Sequence, residues 1–418
     1  MKVVSPACCL LLAFASVLTV ARAANWPELG ASADHELRGD ILSFWLAHAQ
    51  NPANQGFYGL VDEKLRPHAD EPRGELLTAR ILWTFSRAYR EYHDAQYLEM
   101  ARYAYGDLTD HFTDHVHGGY FWTIDANGHP LDEQKLVYGQ AFAIYALAEY
   151  YEATHTRAAL RDATALFHLL DERAHDPDNG GYFDAYDRSW HRMPQNMLGP
   201  APKTQNSTIH VLEAFTGLLR VWPDQLLQAR ERELIRLLTD RIVDSKTHHL
   251  ILYLTPDWKP LSDQISYGHD IELSWLITEA ADVLGDPVLQ AGTQKTAIEI
   301  ADATLAQGVN ADGGVMNLAS PSGVVDGDRD WWNQAEAVTG FLNAYQITHD
   351  PKFAAAALKT WHFIETSVVD HRQGEWFRSV KPDGSPAPGD PKISLWKCPY
   401  HNSRACFQII ERCHELEK

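Results

Sequence analysis

Cysteine is scarce in this sequence. Only five of its 418 residues are cysteines, and two of them, Cys8 and Cys9, lie in an N-terminal segment that we predict to be removed. The three that remain are too few for a disulfide framework. Cys406 and Cys413 are two helical turns apart and too distant to bridge, so Cys398 and Cys406 are the only local candidate pair. We predict free, buried thiols instead.

Positive charge is also scarce. The chain has 36 Lys and Arg against 56 Asp and Glu, a formal net charge of -20, and no basic tract. Such a surface is a poor partner for nucleic acid or for an anionic membrane. The acidic composition is compatible with a monomer or a dimer.

Long hydrophobic runs are missing except near the N-terminus. There Lys2, an apolar run from Leu10 to Val20 and the small residues around Ala23 predict a secretory signal peptide over residues 1–23. A membrane anchor is the alternative, but the run is short and no later stretch is long enough to span a bilayer. We therefore expect an exported protein, periplasmic or secreted, with no membrane contact in its mature form.

A glycine-led aromatic ribbon recurs at intervals of 61 to 70 residues, which indicates a repeat of long period. Two helical patterns lie between successive ribbons. The first of each pair is more apolar and predicts an inner helix, whereas the second is amphipathic and predicts an outer one. The six copies begin at Gly56, Gly118, Gly180, Leu250, Gly313 and Gly374.

The two ends of this repeat complete each other. The last inner helix has no partner after it, and the first helix of the chain, Glu36 to Gln50, has none before it. Pairing them closes a ring of six hairpins. We predict an all-α fold, an (α/α)6 barrel with short β ribbons and loops at one mouth, as a single domain over residues 24–418. An open helical solenoid is the alternative. The inner helices are predicted to begin near Leu76, Tyr138, Asn206, Ser266, Trp331 and Trp396.

The fourth inner helix carries two ionisable groups in an apolar setting. His269 and Glu272 are three residues apart in SYGHDIELSWLI and share a helical face. The positive end of the helix dipole disfavours an imidazolium, so His269 is expected to stay neutral and able to accept a proton. A structural histidine held by a carboxylate is the alternative interpretation.

The starts of the other inner helices are also rich in functional groups. Arg80 lies in an otherwise apolar helix, where a guanidinium requires a partner or a ligand. Histidines at three helix starts favour one shared cavity over coincidence. The further candidates are Tyr138, Asn206, His210, Trp331, Trp332, Glu336, Trp396, His401 and Arg404.

Two such histidines suit the inversion of a stereocentre next to a carbonyl, because His269 and His401 can remove and deliver a proton on opposite faces of one carbon. Arg80 and His210 would stabilise the oxygen charge of the enediol, and Glu272 would orient His269. A metal site built from the histidines and Glu272 is the rival hypothesis. The sequence has no HExxH motif and no aspartate-rich loop, so no metal or other cofactor is expected.

The sequence resembles the N-acylglucosamine 2-epimerase superfamily and, within it, the cellobiose 2-epimerase family. The resemblance runs from about Ile41 to Cys406. The most specific motifs are GHDIE, WWNQAEA and WKCPYHNSRAC, and they are supported by LLTARILWTFSRAYR, VYGQAFAIYALAEYY and HVLEAF.

The resemblance implies a cofactor-free (α/α)6 barrel that converts the reducing-end glucose of a β-1,4-linked disaccharide to mannose. His269 and His401 would be the acid/base pair at C2, with rotation about C2–C3 at the enediolate. Arg80 and His210 would hold the carbonyl end, and Glu272 would support His269 and ring opening. The sugar sites would be lined by Tyr138, Asn206, Trp332 and Trp396, with Trp331 and Glu336 in the same motif.

Some residues depart from the family pattern. Thr208 replaces a usual histidine, Ser403 replaces a usual glycine, and the loop from Met193 to Lys203 lacks an expected aspartate. These changes leave open which disaccharide is preferred, cellobiose or mannobiose.

Other activities remain open on sequence alone. An aldose–ketose isomerase acting on mannose or glucose shares the enediol step, and an (α/α)6 glycoside hydrolase would need two carboxylates such as Glu272 and Glu336. A sugar-binding toroid without activity would keep the tryptophans and lose the histidines, but this chain has both.

Overall fold

A computed structural model describes residues 25–53, 56–195 and 197–418. The predicted signal peptide lies outside the described residues, so both its removal and the division of the chain at residue 23 stay predictions. Among the residues described, no helix is both long and apolar enough to cross a membrane.

The helices alternate between an inner and an outer layer along the chain. Because each inner helix is followed by an outer one, the chain advances as a series of hairpins. The helices are α1 (Trp26–Glu36, continued by a π-helical turn over Leu37–Leu42 and by Ser43–His48), α2 (Glu75–Tyr92), α3 (Ala95–His111), α4 (Val137–Thr154), α5 (Arg157–Arg173), α6 (Gln205–Val221), α7 (Gln225–Leu237, continued by a π-helical turn over Leu238–Ile242), α8 (Tyr267–Leu284), α9 (Pro287–Gln307), α10 (Trp331–Thr348), α11 (Pro351–Phe363, continued by a π-helical turn over Ile364–Val368) and α12 (Tyr400–Leu416).

The even-numbered helices form a closed inner ring. Each contacts the next in order, and α12 contacts α2. Helix α1 packs against α12, so the first and last helices of the chain form the sixth hairpin. This closure confirms the predicted (α/α)6 barrel and excludes the open solenoid.

Two helix starts differ from the prediction. Helix α1 begins at Trp26 rather than Glu36, because Trp26, Leu29 and Ala33 extend its buried stripe toward the N-terminus. Helix α12 begins at Tyr400 and not near Trp396. The preceding residue is Pro399, which disfavours helical geometry in the residue before it, so Trp396 lies on the approach to the helix.

Short antiparallel sheets of two or three strands surround one mouth of the ring. A strand ends directly before each of α2, α4, α6, α8 and α10 and fixes where that helix begins. The strands are β1 (Gln50–Asn51), β2 (Gly56–Phe57), β3 (Arg73–Gly74), β4 (Thr123–Ile124), β5 (Pro130–Asp132), β6 (Lys135–Leu136), β7 (Ala185–Tyr186), β8 (Lys203–Thr204), β9 (Tyr253–Leu254), β10 (Ile265–Ser266), β11 (Leu318–Ser320), β12 (Gly323–Asp326), β13 (Arg329–Asp330) and β14 (Ser379–Val380).

The ribbon glycines are required at these turns. Gly181 has a φ of +68°, and a Cβ atom there would lie 2.5 Å from the ring of Trp258. Any larger residue would meet both backbone strain and a ring that is itself packed. This explains why glycine opens most copies of the repeat.

The inner helices are buried on nearly every side. In α8 every residue from Tyr267 to Thr278 is buried except His269, which is partly exposed. The thiols of Cys398, Cys406 and Cys413 are free and buried, as predicted.

Candidate active site

A cavity of about 270 Å³ opens at the mouth where the inner helices begin. All of the site residues predicted from the sequence line it except Glu336, which lies behind His401, and Arg404, which bonds to Glu336 and Glu272. Two lining residues were not predicted: Asp330, from the strand before α10, and Arg378, from the last ribbon. The lining residues are Arg80, Tyr138, Asn206, His210, His269, Glu272, Asp330, Trp331, Trp332, Arg378, Trp396 and His401.

His401 is held from behind by a carboxyl group. Its Nδ1 lies 2.7 Å from Oε1 of Glu336, and Oε2 of Glu336 accepts a hydrogen bond of 3.0 Å from the indole of Trp275. Burial, and then the positive charge of Arg80, lower the pKa of His401 well below its usual value. The ring is therefore neutral near pH 7, with Nε2 on the side away from Glu336.

His269 is held by a hydroxyl group instead. Its Nδ1 lies 2.8 Å from Oγ of Ser266, the residue before α8. Burial lowers the pKa of His269 to about 4. Its ring centroid is 4.7 Å from that of Trp332, which in turn is 5.7 Å from that of His401. One indole thus contacts both predicted acid/base groups.

The predicted pairing of Glu272 with His269 is wrong. Oε1 of Glu272 instead accepts a hydrogen bond of 2.6 Å from Arg404 and lies 3.9 Å from Nδ1 of His401. The two residues share a helix, but the carboxyl group reaches across the axis to α12, where the Arg404 guanidinium binds it. Burial raises the pKa of Glu272 to about 8, and its Oε2 has no hydrogen-bond partner among the described residues.

Arg80 meets aromatic groups and a thiol. It donates a hydrogen bond of 2.7 Å to the hydroxyl of Tyr138, its Cζ lies 4.2 Å from the ring centroid of Phe142, and Nη1 is 3.5 Å from Sγ of Cys398. This guanidinium is buried and forms no salt bridge with any described residue, so it is available to an oxygen anion in the cavity.

His210 belongs to a second histidine–carboxyl pair. Its Nδ1 lies 2.8 Å from Oε2 of Glu213, and Oε1 of Glu213 is bonded to both Arg404 and Tyr400. Burial, followed by the charges of Arg80 and Arg404, lowers the pKa of His210 well below its usual value. Glu213 was missed, although it follows His210 by three residues in the HVLEAF motif.

Arg404 joins the two histidine–carboxyl pairs. Its guanidinium donates hydrogen bonds to Glu213, to Glu272 and to Glu336, the last two at 2.6 Å. Three buried carboxyl groups around one cation cannot all ionise without excess negative charge. Accordingly, burial and the charge of Glu272 raise the pKa of Glu336 well above its usual value.

Glu272, Glu336 and His401 bring ligand-type atoms within 4.8 Å of one another. This set differs from the rival metal site considered from the sequence, which included His269 and His210. The guanidinium of Arg404 already donates to both carboxyl groups, so a metal ion placed there would be repelled by a cation that the fold holds in place.

The sugar-binding candidates line the wall of the cavity. Trp396 lies 5.9 Å from Trp122 and 6.1 Å from Tyr138, measured between ring centroids. Oδ1 of Asn206 and Nε1 of Trp331 are buried and lack hydrogen-bond partners within the part of the chain that the structure describes. Such polar atoms in a cavity suit a hydroxylated ligand.

The departure at Thr208 lies away from the cavity. Its hydroxyl donates to the carbonyl oxygen of Thr204 at 2.8 Å, and the side chain is buried. Ser403 is also buried, with its Oγ 3.2 Å from the carbonyl oxygen of Tyr400. Neither change alters the lining of the site.

Sequence comparison places this site in a known family. The model of the N-acylglucosamine 2-epimerase family matches residues 56–403. The chain belongs to this family. All of the histidines described above fall within the matched region.

Members of the family resemble the chain over nearly their whole length. A cellobiose 2-epimerase of Bacteroides fragilis is 40% identical over 384 residues, which cover 90% of this chain and 97% of that protein. The structure of a cellobiose 2-epimerase from Bacillus thermoamylovorans superposes with a TM-score of 0.88 at 38% identity, covering 92% of this chain and all of that one. A D-mannose isomerase of Thermobifida fusca is more distant, at 25% identity over 293 residues, 66% of this chain and 70% of that protein.

Proposed function

We propose that the protein is an epimerase that inverts C2 of the reducing-end glucose or mannose of a β-1,4-linked disaccharide. The observation that carries this proposal is the pair of neutral histidines, His269 and His401, in contact with one indole in a cavity that also holds the Arg80 guanidinium. The similarity to cellobiose 2-epimerases over nearly the whole chain supports it.

The chemistry follows from these groups. The reducing-end sugar opens to its aldehyde, and Arg80 stabilises negative charge on the carbonyl oxygen. One histidine removes the proton from C2 to give an enediolate, the C2–C3 bond rotates, and the other histidine delivers a proton to the opposite face. The product is the C2 epimer, and no redox step is involved.

The substrate is a disaccharide of the cellobiose or mannobiose type. Trp396, which packs against Trp122, offers aromatic surface for a sugar ring, while Asn206 and Trp331 offer buried polar atoms without a partner among the described residues. The reducing end would lie beside His269 and His401, where the acid/base groups act.

Proton NMR in D2O tests this proposal. Cellobiose and β-1,4-mannobiose are incubated separately with chelator-treated protein lacking residues 1–23. Deuterium at C2 together with the C2 epimer is the expected result, and both should disappear in His401→Ala. Released monosaccharide without exchange would indicate a hydrolase and contradict the proposal.

Isomerisation is the second candidate, favoured by the resemblance to a D-mannose isomerase. It shares the enediolate but returns the proton to C1, giving a ketose. Ketose formation from mannose faster than epimer formation from any disaccharide would establish this alternative.

We further propose that residues 1–23 direct export, so that the enzyme acts on oligosaccharides in the periplasm or outside the cell. The charged, apolar and small-residue segments of this stretch support the proposal. Intact mass of the secreted chain should show Ala24 as the first residue; a chain that keeps Met1 and stays in the cytoplasm would contradict it.

A further inference from the structure

Both carboxyl oxygens of Glu213 have hydrogen-bond partners. Oε1 accepts from the Arg404 guanidinium and from the Tyr400 hydroxyl. The guanidinium has only N–H groups and must donate. Tyr400 accepts from Arg404 at 2.5 Å and directs its own O–H to Oε1 of Glu213. Oε1 therefore carries no proton.

Among the residues that the structure describes, Oε2 of Glu213 has one hydrogen-bond partner, His210, whose Nδ1 lies 2.8 Å away. Contact with the guanidinium favours the ionised carboxylate. The other two carboxyl groups on Arg404 are those of Glu272 and Glu336, whose pKa values burial raises. The negative charge beside Arg404 is thus carried by Glu213, and a carboxylate can only accept a hydrogen bond.

A neutral imidazole that donates a hydrogen bond from Nδ1 has no proton on Nε2. The hydrogen bond made by one ring nitrogen fixes the role of the other. We propose that Glu213 is a positioning residue that holds His210 in the Nδ1–H tautomer, so that Nε2 accepts a hydrogen bond from a substrate hydroxyl. This inference rests on the proposed function.

The tautomer divides the work between Arg80 and His210. An enediolate presents one charged oxygen and one hydroxyl on adjacent carbons. Arg80 can only donate hydrogen bonds and therefore suits the charged oxygen. An unprotonated Nε2 can only accept one and therefore suits the O–H of the hydroxyl. This revises the expectation that both side chains stabilise the oxygen charge.

Glu213→Gln tests the inference in the full-length mature protein. The two donors on Oε1 would orient the new amide with its oxygen toward Arg404 and its NH2 toward His210. Nδ1 must then accept, and the proton moves to Nε2. Nitrogen-15 NMR of histidine-labelled protein, with the His210 signals assigned by their loss in His210→Asn, should show this transfer. We expect kcat/KM to fall about 100-fold, because the substrate hydroxyl then loses Nε2 as the acceptor of its own proton.

Glu233→Gln is the matched control. Glu233 forms a similar pair with Nε2 of His175 at 2.8 Å, away from the cavity. This variant should change the His175 signals and leave kcat/KM within about twofold.

Three results would overturn the inference: a proton on Nε2 of His210 in the wild type, a transferred proton in Glu213→Gln with unchanged kcat/KM, or a reduced kcat/KM with the tautomer unchanged. If Glu213→Gln does not fold, the wild-type spectrum still decides which nitrogen is protonated. Absence of C2 exchange in the wild type would instead defeat the proposed function, and the tautomer would still be measured.

Discussion

His269 and His401 contact the same indole but are supported by different groups. Nδ1 of His401 meets the carboxyl group of Glu336, which Arg404 also contacts, whereas Nδ1 of His269 meets the hydroxyl of Ser266. A hydroxyl can donate or accept, so it fits either neutral tautomer of His269 and adds no charge. A carboxyl group can share a proton with its imidazole.

The difference suits opposite tasks. His269 stays neutral down to about pH 4 and is ready to accept a proton. In the pair of His401 and Glu336, burial, followed by the neighbouring Glu272, raises the pKa of Glu336 well above its usual value, which favours a proton in the hydrogen bond between the two groups. The site thus combines His269, a base without an acidic partner, with His401, a base whose partner Glu336 can supply a proton.

Removal of either imidazole should have the largest effect. His269→Ala and His401→Ala should each lower kcat for epimerisation by about 10³-fold, within the range for loss of a general acid or base. Initial rates by NMR, with circular dichroism to confirm folding, measure this. Activity within tenfold of the wild type in either variant would remove that histidine from the proton transfer.

Replacement of the carboxyl partner should cost less. Glu336→Gln keeps the hydrogen-bonding shape but removes the proton source behind His401, and kcat should fall about 100-fold while KM changes little. Steady-state kinetics on the preferred disaccharide provide the values. Equal losses in Glu336→Gln and in the Ser266 variant described below would show that the two supports are equivalent.

These partners differ in how far the sequence could predict them. The ring follows from the recurring ribbons and from the unpaired first and last helices. His269 and His401 were found because both sit at helix starts. The contact of Glu272 with Arg404 joins helices 132 residues apart, whereas sequence spacing shows only neighbours within one helix, such as His269. Cross-axis contacts depend on ring geometry that no local pattern encodes.

The same reason explains why other residues of the site could not be predicted from the sequence. Tyr400 and Glu213 meet across the barrel from α12 and α6, 187 residues apart. Arg378 reaches the cavity from the last ribbon, whose repeat pattern indicated only a short β ribbon or loop. By contrast, the aromatic wall at Trp396 was predictable because its motif is specific, although the helix start there was not.

Acid pH should reduce activity through His269. Burial lowers its pKa to about 4, so the imidazole is neutral above that pH and protonated below it. We expect kcat/KM to be constant down to about pH 4 on this account and to fall about tenfold per unit below it. A pH profile, restricted to the range in which the protein stays folded, tests this. A loss of activity centred near pH 6.5, the ordinary pKa of histidine, would show that burial does not lower the pKa of His269 in the active enzyme.

Loss of the hydroxyl partner should have the smallest effect. Ser266→Ala removes one neutral hydrogen bond to His269, worth about 1 kcal/mol, and should lower kcat/KM only about fivefold. Kinetics and a pH profile of this variant provide the measurement. A loss as large as that in Glu336→Gln would mean that the hydroxyl takes part in proton transfer.

If two separate imidazoles act on one carbon, product and substrate should differ in their deuterium content at C2 early in the reaction. Unlabelled substrate is incubated with the enzyme in D2O and sampled by NMR before a tenth of it has reacted. The product should carry deuterium at C2 while the remaining substrate stays unlabelled, because the histidine that delivers the new hydrogen is not the one that removed the proton. Product that keeps its original hydrogen at C2 would contradict it, because one base would then have returned the same proton.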